Sequence, residues 1–200
     1  MKDRTIDAYN KIAEHFEKTH LKEMWLEELE YFKKIIKGNK ILEIGCGTAR
    51  EARFLIENGF DYTGIDASES MLDIAKDKLK KGNFLKMNFY NLKFDKESFD
   101  GFLAIASLLH VPKYKISKVL TSIRGIIRNN GIGFISLKEK NQLDEGFIKN
   151  KDLGIERYFS FYTMNEFNII LKKNNFDVIK KGYKKEYDGT DWLYFFVKKV

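Results

Sequence analysis

The chain has 200 residues, 44% of them hydrophobic, which suffices for one buried core and falls short of two ordinary domains. Lysine and arginine outnumber aspartate and glutamate by 36 to 29, a net charge of +7 that admits an anionic partner, nucleic acid included, although most of the excess is lysine scattered in "KK" pairs. The one cysteine, Cys46, excludes an internal disulfide and a cysteine-built zinc site, and neither a signal-peptide stretch nor a membrane-length apolar run is present, so a soluble, cytoplasmic protein is expected.

Helical periodicity covers about 5 to 18 and 21 to 37; in the second stretch Trp25, Leu29, Phe32, Ile35 and Ile36 recur at three and four, and Gly38 ends the pattern. Residues 1–37 thus read as a helical segment placed to cap a substrate, and residues 38–200 as the main domain. Strands are expected at about 40–44, 61–66, 83–87, 99–105 and 131–138, alternating with helices at about 48–58, 69–81 and 113–129, which suits parallel strands joined by right-handed crossovers. The lone proline, Pro112, comes after the fourth strand. "TMNEF" at 163–167 is a capping box for a helix to about 174. Two strand-like segments, "FDVIKKGYKKEY" and "DWLYFFVKKV", then succeed one another without a helix and are most simply antiparallel. The fold expected is Rossmann-like α/β: a seven-stranded, mostly parallel sheet with one antiparallel strand near the C-terminus and helices on both faces.

Between the first strand and its helix stands "KILEIGCGTARE", residues 40–51. Gly45 and Gly47 allow a tight turn and let a ligand approach bare backbone. A dinucleotide fingerprint needs a third glycine where Arg50 stands, and the carboxylate of Glu43 would repel a pyrophosphate at the helix start. S-adenosylmethionine has an adenosine, no phosphate, and a cationic ammonium and sulfonium that Glu43 would attract. Asp66 ends the second strand roughly 21 residues beyond Gly45, within reach of ribose hydroxyls in this βαβ geometry.

In that order and spacing, "LEIGCGTA", "GIDAS", "FLKMNF" and "FDGFLAIASLLHVP" resemble the successive motifs of class I S-adenosylmethionine-dependent methyltransferases. "DAYNKIAEHF" and "RYFSFYTMNEFNIILKKNNFDV" are similar to segments of the small single-domain bacterial and archaeal members. The resemblance implies that Glu43, Gly45, Cys46 and Gly47 hold the methionine end of the cofactor, Cys46 through its backbone. It gives Asp66, with Ala67 beside it, to the ribose diol, and Asn88 to the adenine amino group, flanked by Met87 and Phe89. Residues 104–107, Ala104 and Ala106 among them, would offer carbonyls to the ammonium. The chain departs from the family pattern at Ala49, where a third glycine is common, and at Asn88, which replaces an aspartate.

Transfer from a sulfonium needs alignment more than covalent help, so catalytic residues are hard to read. His110, after the fourth strand, is the candidate base; His15 and His20 read as surface groups. The Asp/Asn-Pro-Pro-aromatic motif of amino-methylating DNA enzymes, the Pro-Cys of cytosine-C5 enzymes and any metal-ligand cluster are absent from the sequence. Candidate acceptor-binding residues are Tyr9, Trp25, Arg157, Tyr158, Tyr162 and Trp192. In "ERYFSFYT", alternation places Arg157, Phe159 and Phe161 on one face and Tyr158, Ser160 and Tyr162 on the other, a setting for a planar acid or an edge strand of the sheet. The leading expectation is a methyltransferase for a small molecule, through O, N or C. The alternatives are a tRNA methyltransferase of wobble-uridine type and a cofactor-binding regulator without turnover. Oligomeric state is not legible.

Overall fold

Two helices, α1 (Arg4–Thr19) and α2 (Leu26–Ile35), precede the first strand. The computed structural model describes residues 4–19, 25–140, 142–150, 152–185 and 189–200; His20, residues 21–24 of the expected second helix, and Glu186 and Tyr187 of the expected sixth strand lie outside the described residues. The main sheet has the order β3-β2-β1-β4-β5-β9-β8, with β1 Lys40–Ile44, β2 Asp61–Asp66, β3 Asn83–Lys86, β4 Phe99–Ile105, β5 Ile127–Lys138, β8 Phe176–Lys185 and β9 Asp191–Lys199. Only β9 is reversed, pairing antiparallel with β5 and β8, so the seven-stranded Rossmann-like sheet has the expected composition and sense.

Crossovers α3 (Ala52–Glu57), α4 (Glu69–Lys78) and α5 (Lys113–Ile126) link the parallel strands, and α6 (Met164–Lys173) leads into β8. Local chemistry sets the starts of two of them. The Ser68 hydroxyl accepts from the Met71 amide at the head of α4, and Thr163 and Glu166 exchange both bonds of a capping box at α6. Neighbouring residues of β9 show why both faces of the sheet are covered. Phe196 meets Tyr31 of α2 at 4.7 Å between ring centres, whereas Phe195 meets Phe167 of α6 at 5.3 Å on the opposite face. The central strand β4 is accordingly buried at every position, as a strand covered on both sides must be.

Three local expectations are corrected. Residues 48–51 form turns, and the helix begins only at Ala52, because left-handed backbone at Gly47 and Ala49 prevents an earlier start. β5 begins at Ile127 rather than near 131, ending α5 at Ile126: Ile127 pairs with Phe99, its carbonyl accepts from the buried Lys199 ammonium at 2.8 Å, and an irregularity in register absorbs the extra residues. Finally, the "ERYFSFYT" strand is no edge of the main sheet. Its residues Ile155–Ser160 form β7 and pair antiparallel with β6 (Glu145–Asn150) in a separate two-stranded ribbon. β6 escaped detection because its face alternation is missing; it is half-buried or exposed throughout.

Candidate functional site

Strand order reverses between β1 and β4, and a crevice opens there at the carboxyl ends of the strands, as in open α/β sheets generally. It leads into a cavity of about 560 Å³ bounded by the ends of β1, β2, β4 and β5, by α1, and by β7. The two ends of this cavity differ in charge.

At the β1 and β2 end the turn is bare backbone. Gly45 and Gly47 have φ of +73° and +53°, and a Cβ on Gly45 would fall 2.5 Å from the Ser107 Cβ, so no larger residue fits without moving the next loop. Ala49, at φ +60°, occupies the same left-handed region with a side chain. Three carboxylates line this end, Glu43 and Glu51 buried and Asp66 half-buried. Burial, and then the charge of Glu51, pushes the Glu43 carboxyl well above the usual range; the Tyr62 hydroxyl donates to it. Glu51 is held by the Arg50 guanidinium at 2.8 Å. Asp66 accepts the Gly47 amide at 2.9 Å and the Ser68 amide at 2.8 Å, one on each oxygen; burial raises its pKa and these amides pull it back. Each oxygen keeps a second lone pair. Cys46 is a buried thiol pushed up first by burial and then by Asp66 and Glu43, which suits packing and not nucleophilic attack.

Ala67, Met87, Asn88, Phe89 and Ala106 also line the cavity. The Asn88 amide oxygen, expected to face an adenine, already accepts the Tyr90 amide at 2.9 Å and has one lone pair left. Ala106 sits at φ +50° with its amide donated to the Ser136 hydroxyl. Ala104, expected to offer a carbonyl to the cofactor, is fully buried in β4 and is not among the residues that line the cavity. Ser107, not singled out as a side-chain contact by the sequence, lines the cavity with a buried hydroxyl that has no partner among the described residues. An orphaned buried hydroxyl beside a bare turn suits a polar ligand.

The other end is built from parts distant in sequence. The helix α1 lies along it, tied down by Asn10, which accepts from the Ser68 hydroxyl at 2.7 Å, by Glu17 paired with Lys78 at 2.6 Å, and by Thr5, which accepts the Tyr158 amide at 3.0 Å. The face it turns inward includes Thr5, Tyr9, Ile12 and Phe16, spaced by three and four, and His15 beside them. His15, read from the sequence as a surface group, is exposed yet borders the cavity.

His110 stands at the centre of a directed chain of hydrogen bonds. Its Nδ1 lies 2.5 Å from the Tyr158 carbonyl, which can only accept, so Nδ1 carries the hydrogen. Nε2 therefore offers its lone pair to the Tyr9 hydroxyl at 2.8 Å, and Tyr9 in turn accepts from Arg157 at 3.2 Å. Burial lowers the imidazole pKa to about 4, against the lift of the Tyr158 bond and helped by the charges of Arg157 and Lys138. The ring is neutral at ordinary pH.

Of the expected acceptor-side residues, Tyr9, Trp25, His110, Arg157 and Trp192 line the cavity, and Tyr158 and Tyr162 do not. The Tyr158 ring packs edge-on against Phe147 on the other side of the ribbon and contributes only its backbone; Tyr162 is wholly buried against Phe167. Alternation separates both correctly from Arg157, and only one of the two faces can look into the cavity. Phe159, on the Arg157 face by alternation, joins the wall, as does Lys138, which the sequence does not mark as an acceptor contact. Among the described residues, no group of three His, Cys, Asp or Glu side chains is placed to hold a metal ion, and no helix is long and apolar enough to cross a membrane.

Residues 41–131 match the family described as "Methyltransferase domain". A demethylmenaquinone methyltransferase of Tropheryma whipplei is 29% identical over 111 residues, covering 52% of this chain and 46% of that protein, so the chain spans about half the length of that relative. Among solved structures, an S-adenosylmethionine-dependent methyltransferase of Methanosarcina mazei superposes with a TM-score of 0.77 at 18% identity, over 85% of this chain and 97% of its own. The 1,6-didemethyltoxoflavin-N1-methyltransferase of Burkholderia thailandensis, solved with that compound and S-adenosylhomocysteine, gives 0.74 at 17% identity over 98% and 88%. Residues 41–131 are thus similar to a methyltransferase domain, and the chain shares the fold of these solved structures.

Proposed function

We propose that this chain transfers the methyl group of S-adenosylmethionine to a small-molecule acceptor held under α1. The observation that carries the reading is the convergence of Glu43, Glu51 and Asp66 on a glycine turn. Three carboxylates in low dielectric repel a polyphosphate and are relieved by a cationic nucleoside. In this reading Asp66 accepts the ribose hydroxyls on its spare lone pairs, Glu43 attracts the ammonium, the Ser107 hydroxyl meets the methionine end, and Met87, Asn88 and Phe89 flank the adenine.

Bound S-adenosylmethionine would supply a methyl group on an already activated sulfonium. What remains for the chain is to align an acceptor with it and keep water away, an effect able to supply about 7–11 kcal/mol. The bonds from α1 to Ser68 and Tyr158 make that helix the natural cover. His110 lends its lone pair to Tyr9, and a pKa near 4 makes it a poor store for an acceptor's proton, so its role is to orient Tyr9 toward the acceptor. A cytoplasmic setting belongs to the same reading, with Cys46 reduced and buried.

The test is calorimetry with S-adenosylmethionine, and then a transfer assay with methyl-labelled cofactor against a panel of small aromatic and aliphatic acceptors. Binding in the micromolar range and label in at least one small acceptor are expected. Absence of cofactor binding overturns the reading, and label appearing only in tRNA moves the acceptor to nucleic acid.

A further inference from the structure

The acceptor end of the cavity carries the opposite charge to the cofactor end. Lys138, the last residue of β5, places its ammonium 5.3 Å from the centre of the Phe159 ring and 5.6 Å from that of Trp192. Arg157, on β7, places its guanidinium 5.3 Å from the ring centres of both Phe159 and Tyr9. Both cations and all three rings line the cavity. No ion pair among the described residues involves Arg157. Both cations stand against the one Phe159 ring in the cavity wall, where each can offer a bound anion a charge-assisted contact.

Resting on the methyl-transfer reading, we infer that the acceptor is a planar aromatic molecule bound as an oxyanion, its ring among Tyr9, Phe159 and Trp192 and its charged oxygen against Lys138 and Arg157. The hydrogen bonds of His110 agree with this. Both ring nitrogens are engaged, one by a carbonyl and one by Tyr9, so no free base faces the acceptor. The cations can replace one, since a positive neighbour holds an acidic oxygen in its ionised form and its proton leaves to solvent on binding. Where the ionised oxygen is itself the nucleophile, its lone pair forms the new O–C bond as the C–S bond breaks and that electron pair stays on sulfur. No further co-reactant is needed. A phenolate and a carboxylate share this chemistry, and the experiment separates them.

Calorimetry on the protein saturated with S-adenosylhomocysteine would compare benzoate, 4-nitrophenolate, neutral benzamide and non-aromatic hexanoate. At least one aromatic anion is expected to bind tenfold or more tighter than benzamide and hexanoate, and the better of the two identifies the oxyanion. Lys138→Met and Arg157→Met should each reduce that affinity about tenfold or more, with benzamide changed less than twofold and S-adenosylhomocysteine still bound. Should either variant fail to fold, the anion preference of the unaltered protein must still shrink as salt is raised. An aromatic anion binding no tighter than benzamide, or a preference unaffected by both substitutions, overturns the inference. Failure of S-adenosylhomocysteine itself to bind would instead defeat the methyl-transfer reading.

Discussion

The cofactor end and the acceptor end of this cavity are made in different ways. The first is backbone and carboxylate, laid down by three strand ends and their tight turns within residues 43–107. The second is cationic and aromatic, assembled from α1, the end of β5 and the β6–β7 ribbon, with partners such as Tyr9 and Arg157 separated by 148 positions. One end arises from the topology of the sheet, so its ligand class is general; the other is assembled from side chains of separate elements, and in the proposed reading it would decide which acceptor binds.

The sharpest way to break the contrast is at Asp66. Replacement by Ala removes the acceptor of two backbone amides and the proposed ribose contact at once, and should weaken S-adenosylhomocysteine binding by about 3–6 kcal/mol in calorimetry, taking two ribose hydrogen bonds at about 1.5–3 kcal/mol each. Glu43→Gln divides stability from function. Burial raises the Glu43 pKa, so ionising it at neutral pH opposes folding; the amide should raise the melting temperature of the ligand-free protein while lowering S-adenosylmethionine affinity by roughly 10- to 100-fold.

The acceptor end should respond to acid. His110 titrates near 4 in the folded chain and near 6.5 unfolded, so the unfolded state binds the extra proton between these values and stability falls as pH drops from about 6.5 to 4. The loss should approach about 3 kcal/mol in urea titrations, and His110→Asn, which keeps a donor for the Tyr158 carbonyl, should flatten it. Tyr9→Phe should raise KM for the acceptor several-fold and leave cofactor affinity unchanged, because among the described residues the hydroxyl bonds only His110 and Arg157. The smallest effect is at Ala49, whose φ of +60° suits glycine: Ala49→Gly should stabilise the protein by about 1 kcal/mol in the same urea titrations, with no change in the acceptor end.

The legibility of the sequence divides along the same line. Gly45, Gly47 and Asp66 can be placed because a strand, a turn and a helix start are local, and strands such as β1, β2 and β4 announce themselves by buried runs. Strand phase separates Ala104 from its neighbour Ile105: Ile105 lines the cavity and Ala104 does not. At the acceptor end, Arg157 stands out by composition, while Lys138 looks like one more lysine at the end of a strand. Nothing local tells that β5 ends facing the inner side of α1. The inward face of α1 does carry a signal in the spacing of Thr5, Tyr9, Ile12 and Phe16, but what it covers depends on Asn10 meeting Ser68 across 58 positions. Tyr158 and Tyr162 show the limit of alternation, which sorts residues onto two faces without saying which one meets the ligand.

The central claim is that charge at the glycine turn chooses the nucleoside ligand. Titrating the protein with S-adenosylhomocysteine and, separately, with ADP compares two ligands that share an adenosine and differ in the group attached to its ribose, an amino acid in one and a diphosphate in the other. The account predicts micromolar binding of the first and at least 100-fold weaker binding of the second; ADP binding as tightly as S-adenosylhomocysteine would contradict it.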